Sequence, residues 1–247
     1  MSEFKCALFD VGWTLFDEDY RWYKTCDWMS TTLRAFDIFI QPEQIKIQYE
    51  SACARPDPSI NSITKQCLVE LGLPRDVIHT LCKRHPWHTF DFHPYEGALE
   101  LLRRLSKMGV VVGILSNQGS HTRSCLDTFG FSPYCDFMLL SAEEGMMKPS
   151  KEFFELAIHR SECSPEDTLY FGDRLDHDVI GSSEVGMKSA LILQGPHRRQ
   201  YFENASPDFT FRFISEVLDG ISPLDGRGFS VNPSVVHSGE SPATKVR

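Results

Sequence analysis

A doubly wound α/β sheet of parallel strands, interrupted after its first strand by a helical insertion, is the fold class that this 247-residue sequence predicts. Three observations lead there. Short apolar runs ending in small or acidic residues recur along the chain, as fully buried parallel strands do. Between them lie segments of helical periodicity closed by glycine. One stretch, from about Asp17 to Phe90, carries helical patterns but no convincing strand.

Taken in order, Cys6–Asp10 within FKCALFDVGWTLFDED is the first strand, and it delivers Asp10 to its end. Helical stretches follow at Tyr20–Phe39, Pro42–Ala54, Ser59–Leu71 and Pro74–His85, with Pro42 and Pro74 where helices begin and Gly72 where one ends. Gly97–Met108 sets Ala98, Leu101, Leu102, Leu105 and Met108 on one face, and Gly109 stops it. Strand Val110–Asn117, helix Ser120–Phe129, strand Phe137–Ser141 and helix Lys151–Arg160 come next. Strand Thr168–Asp173, helix His177–Val185, strand Ser189–Leu193 and a weaker sixth strand, Asp208–Phe213, complete the alternation. Strands alternating with helices imply crossover connections and a parallel sheet. Beyond Gly220 the chain is rich in Gly, Pro and Ser with little periodicity, which predicts a mobile tail. The expected division is a core of residues 1–16 and 91–222, a helical domain of 17–90 and a disordered tail of 223–247.

Composition excludes several function classes. With 41% hydrophobic residues the chain has enough apolar side chains for a good-sized core. A net charge of -9 repels polyanions and argues against nucleic-acid or acidic-membrane partners, though not against small phosphates. The 8 cysteines include no C-x-x-C pair, so reduced, mostly buried thiols of a cytoplasmic protein are expected rather than a disulfide framework or zinc site. No stretch approaches the roughly 18 apolar residues of a membrane span, and no basic leader precedes the first apolar run.

Ligands of open parallel sheets bind beyond the carboxyl ends of the strands, which is where Asp10, Ser116 and Asp173 fall. FGDRLDHD brings Asp173, Asp176 and Asp178 into one short loop and helix start. Carboxylates converging at strand ends repel one another unless a cation sits among them, and all-oxygen ligation suits Mg²⁺. Ser116 and Asn117 precede a helix start and offer a cradle for an anion, and Lys148 adds a positive charge ahead of the next helix.

These four pieces, in this order, resemble the four motifs of the haloacid dehalogenase (HAD) superfamily over about residues 4 to 215. Asp10 matches the nucleophile, Ser116 the Ser/Thr of the second motif, Lys148 the lysine of the third, and Asp173 with Asp178 the acidic pair of the fourth. The helical insertion falls where that family places a C1-type cap. The resemblance implies a Rossmann-like core and phosphoryl transfer from a small phosphorylated metabolite to Asp10, followed by hydrolysis of the aspartyl phosphate. It implies Mg²⁺ held by Asp10, Asp173, the Gly12 carbonyl and Asp178. It further implies phosphoryl oxygens bound by Ser116, Asn117 and Lys148, with Thr14 steadying the loop and contributing to the phosphate site. A cap over the site would disfavour protein or nucleic-acid substrates.

The sequence departs from the family at Gly12, where phosphatases usually carry a second Asp that protonates the leaving alcohol. Such proton transfer contributes about 10²–10⁴-fold. Three explanations are open: a leaving group that needs no proton, another acid such as Asp17, Glu18 or His177, or a non-catalytic metabolite-binding role. A 2-haloacid dehalogenase also lacks the second Asp, but the acidic pair Asp173 and Asp178 favours phosphate. Trp13 would set a large ring beside the nucleophile, narrowing the site or packing the cap.

Other conspicuous residues have plainer readings. HPWHTFDFHP, with His85, His88 and His93, lacks metal-ligand spacing and suits a hinge. His197, Arg198 and Arg199 form a short basic run of the kind that usually faces solvent. Tyr20, Trp22, Tyr23 and Trp28, at near-helical spacing, suit a helical core.

Overall fold

A computed structural model describes residues 3–57, 59–60, 62–84 and 93–232 of the chain. Glu3–Phe4 (β1), Cys6–Phe9 (β2) and Phe16–Asp17 (β3) come first. Four helices follow, Asp19–Leu33 (α1), Pro42–Ala54 (α2), Ile63–Glu70 (α3) and Arg75–Arg84 (α4), before the chain returns at His93–Pro94 (β4). Then come Ala98–Lys107 (α5), Val111–Ser116 (β5), His121–Thr128 (α6), Phe137–Leu140 (β6), Ser141–Glu144 (α7) and Lys151–Ser161 (α8). Thr168–Gly172 (β7) leads through a wide helical turn, Leu175–Val179, into Ile180–Glu184 (α9). Lys188–Ile192 (β8), Phe209–Phe211 (β9), Ile214–Gly220 (α10), Ile221–Pro223 (β10) and Phe229–Val231 (β11) end the described chain.

The six strands read from the sequence form one parallel sheet in the order β6, β5, β2, β7, β8, β9. Their runs are apolar throughout because both faces are covered. On one face Ala7, Phe9, Val112, Ile114, Leu169 and Phe171 pack with Leu101, Leu102 and Leu105 of α5. On the other, Cys6, Leu8, Leu115 and Tyr170 pack with Phe153, Phe154 and Ala157 of α8. From β2 the chain winds outward through β5 and β6, then crosses back to β7 on the far side. The direction of winding therefore reverses beside β2, which opens a crevice beyond the carboxyl ends of β2, β5 and β7.

The helical segment builds a separate core from Cys26, Met29 and Leu33 of α1, Ile45, Tyr49 and Cys53 of α2, Cys67 and Leu68 of α3, and Val77 and Leu81 of α4. Its two ends are held together by an antiparallel pairing that the sequence did not signal, β3 against β4, with Phe16 opposite Pro94 and Asp17 opposite His93. Two residues per strand carry too short a pattern to register as alternation. Trp22 and Trp28 pack against the helical core, but Tyr20 and Tyr23 do not, being 50% and 49% exposed on the outer side of α1. His93 lies in β4, whereas His85 and His88 fall outside the described residues.

The tail expected from residue 223 onward needs correcting. Phe229–Val231 pairs with Glu3–Phe4 on one side and Ile221–Pro223 on the other. Phe229 and Val231 are fully buried and belong to the main core, Phe229 with its ring centroid 5.5 Å from that of Phe4. Gly226 and Gly228, at φ 108° and 123°, supply the backbone that returns the chain between the two strands. The glycine and serine content that resembled disorder is a hairpin turn; residues 233–247 lie outside the described chain. All 8 cysteines are free, with Cys6, Cys26, Cys53 and Cys67 buried and Cys82 exposed. Among the described residues no helix is long and apolar enough to cross a membrane.

If β11 is part of the core, Phe229→Ala will lower unfolding free energy by about 3–5 kcal/mol. Phe213→Ala, at a ring 55% exposed, will change it by less than about 0.5 kcal/mol. Urea denaturation of the two variants checks this, and equal effects would return the segment to the tail.

Candidate active site

Asp10 follows the last residue of β2, and its N–H donates to Phe171 O in the neighbouring strand at 2.9 Å. Asp173 follows β7 in the same way, Ser116 ends β5, and Lys148 stands in the loop before α8. That loop is fastened to the end of β5 by a reciprocal pair: Lys148 N–H donates to Asn117 Oδ1 at 2.7 Å, and Asn117 Nδ2 donates to Lys148 O at 2.9 Å. Asn117 thus positions Lys148, a link that its sequence neighbourhood did not foretell.

The structure brings Asp10, Asp173 and Asp178 together, with one oxygen of each within 4.8 Å of the others. All three are buried. Lys148 Nζ lies 2.8 Å from Asp10 Oδ1, 2.6 Å from Asp178 Oδ1 and 2.9 Å from the Tyr170 hydroxyl. Ser116 Oγ donates to Asp10 Oδ1 at 2.7 Å, and the Arg174 N–H donates to Asp178 Oδ2 at 3.0 Å. Burial disfavours the Lys148 ammonium, but Asp10 and Asp178 outweigh it and hold its pKa above the usual lysine value. Burial lifts Asp178 to about 6 against the pull of Lys148. Asp173, buried and beside the charge of Asp10, is pushed well above the usual carboxylate range. One ammonium does not neutralise three carboxylates.

Not every acidic residue of the FGDRLDHD run joins the cluster. Asp176 turns to Arg174 in a two-pronged pair, Oδ1 to Nε at 3.0 Å and Oδ2 to the guanidinium Nη2 at 2.6 Å. Thr14 is wholly buried, its hydroxyl has no hydrogen-bond partner among the described residues, and it does not line the cavity. The steadying bond expected of that hydroxyl is not present among the described residues. In the turn itself, Leu15 and Phe16 N–H donate to Val11 O and Trp13 N–H to Phe16 O, none of them using the Gly12 carbonyl.

His197, expected on a solvated surface, is 1% exposed, and its Nδ1 lies 2.7 Å from Asp173 Oδ2. Burial, aided by the Arg174 charge, lowers its pKa to about 3, so the ring is neutral and shares a single proton with Asp173 through Nδ1. Gln200 adds a second hold by donating from Nε2 to Asp173 O. The Trp13 ring stands edge-on to His197 at 5.6 Å, faces Tyr49 of α2 at 6.4 Å, and donates from Nε1 to Asp19 at 3.0 Å. Trp13 therefore ties the turn after β2 to the helical segment as well as flanking the site.

Of the three residues weighed as substitute acids, Asp17 accepts the Asp19 N–H and does not line the cavity. His177 is lowered to about 3, by burial first and the Arg174 charge second, so it carries no proton to give near neutrality. Glu18 is 6% exposed, contrary to the solvated loop residue its surroundings in the sequence suggest. Burial lifts its carboxyl to about 7 against the Arg21 guanidinium, and Asp10 and Asp173 add to the lift. A cavity of about 580 Å³ separates the sheet from the helical segment, lined on one side by Asn117, Arg174 and His177 and on the other by Glu18, Trp22 and Tyr49.

A doubly wound core carrying a buried Asp, Ser, Lys and Asp–Asp constellation at the crevice of its sheet has the features of a haloacid dehalogenase-like hydrolase. Residues 7–192 match that family, and the chain belongs to it. Among characterised relatives it is 30% identical over 132 residues to the glyceraldehyde 3-phosphate phosphatase of Methanocaldococcus jannaschii, covering 53% of this chain and 58% of that one. It is 26% identical over 136 residues to the pyrophosphatase PpaX of Halalkalibacterium halodurans, covering 55% and 63%. The matched part thus spans less than two thirds of these relatives' length. In fold it is similar to a predicted phosphoglycolate phosphatase from Haemophilus somnus, at TM-score 0.67 and 17% identity over 87% of this chain and 97% of that one. It is likewise similar to the putative hydrolase YfnB of Bacillus subtilis, solved bound to magnesium, at TM-score 0.63 and 22% identity over 87% and 97%.

Removing the shared cation tests the electrostatics of the cluster. Lys148→Met will cost about 3–5 kcal/mol of stability without added divalent metal, because two carboxylates lose their buried partner. A carboxyl raised above its unfolded pKa stabilises the fold as pH falls from the folded value toward the unfolded one. The deficit will therefore be larger at pH 8 than at pH 5, and denaturation curves at the two pH values measure it.

Proposed function

We propose that this chain is a Mg²⁺-dependent phosphohydrolase that transfers the phosphoryl group of a small phosphorylated metabolite to Asp10 and then hydrolyses the aspartyl phosphate. The observation that carries the reading is the meeting of Asp10 with Ser116, Lys148, Asp173 and Asp178 at one crevice. The donor chemistry fits a hard dication: three carboxylates share one ammonium, and every donor is oxygen. Asp10, Asp173, Asp178 and the Gly12 carbonyl would hold it. Bound there, the cation would let an anionic nucleophile meet an anionic phosphate.

The chain's own side chains then have distinct work. Ser116 holds the Asp10 carboxylate in one orientation through its 2.7 Å bond, leaving the other oxygen as nucleophile. Lys148 bridges Asp10 and Asp178 and offsets charge gathering as phosphate approaches. Ser116 and Asn117 N–H groups, ahead of α6, present donors to phosphoryl oxygens. His197 and Gln200 keep Asp173 turned toward the cluster. Residues 17–90 act as a cap whose α1 and α2 close the cavity, excluding bulk water from the intermediate. A space of about 580 Å³ suits a small metabolite rather than a macromolecule. The relatives' names point to three-carbon phosphates and pyrophosphate as the first substrates to try.

Phosphate release from such a panel, with a 2-haloacid included, will depend on Mg²⁺ and stop with EDTA. Asp10→Asn will lower it by at least about 10³-fold. Undiminished release by Asp10→Asn removes the nucleophile, and metal-independent halide release would favour dehalogenation.

A further inference from the structure

A phosphate ester breaks slowly unless the departing oxygen receives a proton, and the turn after β2 has no side chain at Gly12 to give one. The space is nevertheless taken. A Cβ placed on Gly12 would lie 2.9 Å from Glu18 Oε1, 3.1 Å from Glu18 Cδ and 3.1 Å from Gln118 Nε2. Gly12 is not among the residues of positive φ, so its backbone does not demand glycine. The Glu18 carboxyl is what a side chain at position 12 would meet.

That carboxyl is held in place without being used up. Its Oε1 accepts from Gln118 Nε2 at 3.0 Å and its Oε2 from Arg21 at 3.1 Å. Although Glu18 is the residue preceding α1, its side chain makes no capping bond to the helix, so capping does not explain its burial. It lines the same cavity as Asn117 and His177, on the side of the helical segment.

We infer that Glu18 is the general acid and base of this hydrolase, reaching from the start of α1 into the space left open at Gly12. The inference rests on the phosphohydrolase reading above. In the first step an Asp10 oxygen forms a bond to phosphorus as the bond from phosphorus to the leaving oxygen breaks, and the proton on Glu18 passes to that oxygen, giving the free alcohol. In the second, water adds to phosphorus and gives its proton to the Glu18 carboxylate as the bond to Asp10 breaks, releasing phosphate and restoring both carboxyl groups. Gly12 and Glu18 are then two halves of one arrangement: the glycine makes room, and the glutamate supplies the proton.

Leaving-group dependence tests this with the full chain and Mg²⁺, using glycerol phosphate, whose alkoxide needs a proton, beside p-nitrophenyl phosphate, whose phenolate does not. Glu18→Gln, close to isosteric, will lose about 10²–10⁴-fold in kcat on glycerol phosphate. On p-nitrophenyl phosphate it will release a burst of nitrophenol and accumulate phosphorylated protein, because bond breaking survives while water attack lacks its base. Gly12→Asp added to Glu18→Ala will recover glycerol phosphate turnover over Glu18→Ala alone, returning a carboxyl to the same space from the other backbone position. Equal losses on both substrates without a burst, or no loss, would overturn the role of Glu18 while wild-type turnover and its collapse in Asp10→Asn leave the phosphohydrolase reading standing. Absence of turnover by the wild type on both substrates and the wider panel brings down that reading, and the role of Glu18 with it.

Discussion

Three carboxylates packed within 4.8 Å of one another at the ends of buried strands are the constraint to which the rest of the molecule answers. At about 4 Å and an effective dielectric near 20, two like charges repel by roughly 4 kcal/mol. Nothing about an isolated loop would hold such a group together. The holding is done by β2 and β7, paired along their length and buried on both faces, so that Asp10 and Asp173 are fixed by backbone rather than by attraction. Around them the chain supplies compensation: Lys148 between two of the carboxylates, the Ser116 hydroxyl on Asp10, the Arg174 amide on Asp178, and His197 on Asp173. The negative charge left over is what the proposed dication would neutralise, so the electrostatically costliest feature of the site is the one that proposal puts to use.

Legibility in the sequence followed the range of the interaction. The sheet strands were readable because a buried parallel strand writes an unbroken apolar run, and Asp10, Ser116 and Asp173 were readable because they sit just past the ends of such runs. Lys148 and Asp178 were placed by their order along the chain, and the structure brings them to the same point. Where partners are distant and patterns short, the reading failed. Phe229 and Val231 bury against Phe4, more than 200 residues away, from inside a glycine-rich segment that looks disordered. His197 belongs to a basic triplet, yet it turns inward to Asp173 while Arg198 and Arg199 stay exposed. Thr14 stands in the expected place, yet its hydroxyl has no hydrogen-bond partner among the described residues.

Trp13 joins these pieces. It is held at φ 49°, an uncommon conformation for a bulky side chain, and it contacts His197, Tyr49 and Asp19 at once. A single residue thus links the turn that carries Asp10 to His197, the partner of Asp173, and to both α1 and α2. Gly195 fits this arrangement, since a Cβ there would come within 2.4 Å of the Trp13 ring. The local strain at Trp13 is sustained because contacts from three directions fix the indole.

The position of Glu18 gives that linkage a chemical consequence. An acid on the turn itself would move with Asp10, whereas Glu18 stands where the chain leaves the core for the helical segment, between β3 and α1. Its carboxyl reaches the crevice because Gln118, on the core side, and Arg21, on α1, grip its two oxygens together. If Glu18 acts as proposed, seating of the helical segment and delivery of the proton would be one event rather than two. With the acid at position 18 rather than 12, as proposed, bond cleavage would be conditional on seating of the helical segment, and Asp10 and its proton source would be complete only when water is shut out.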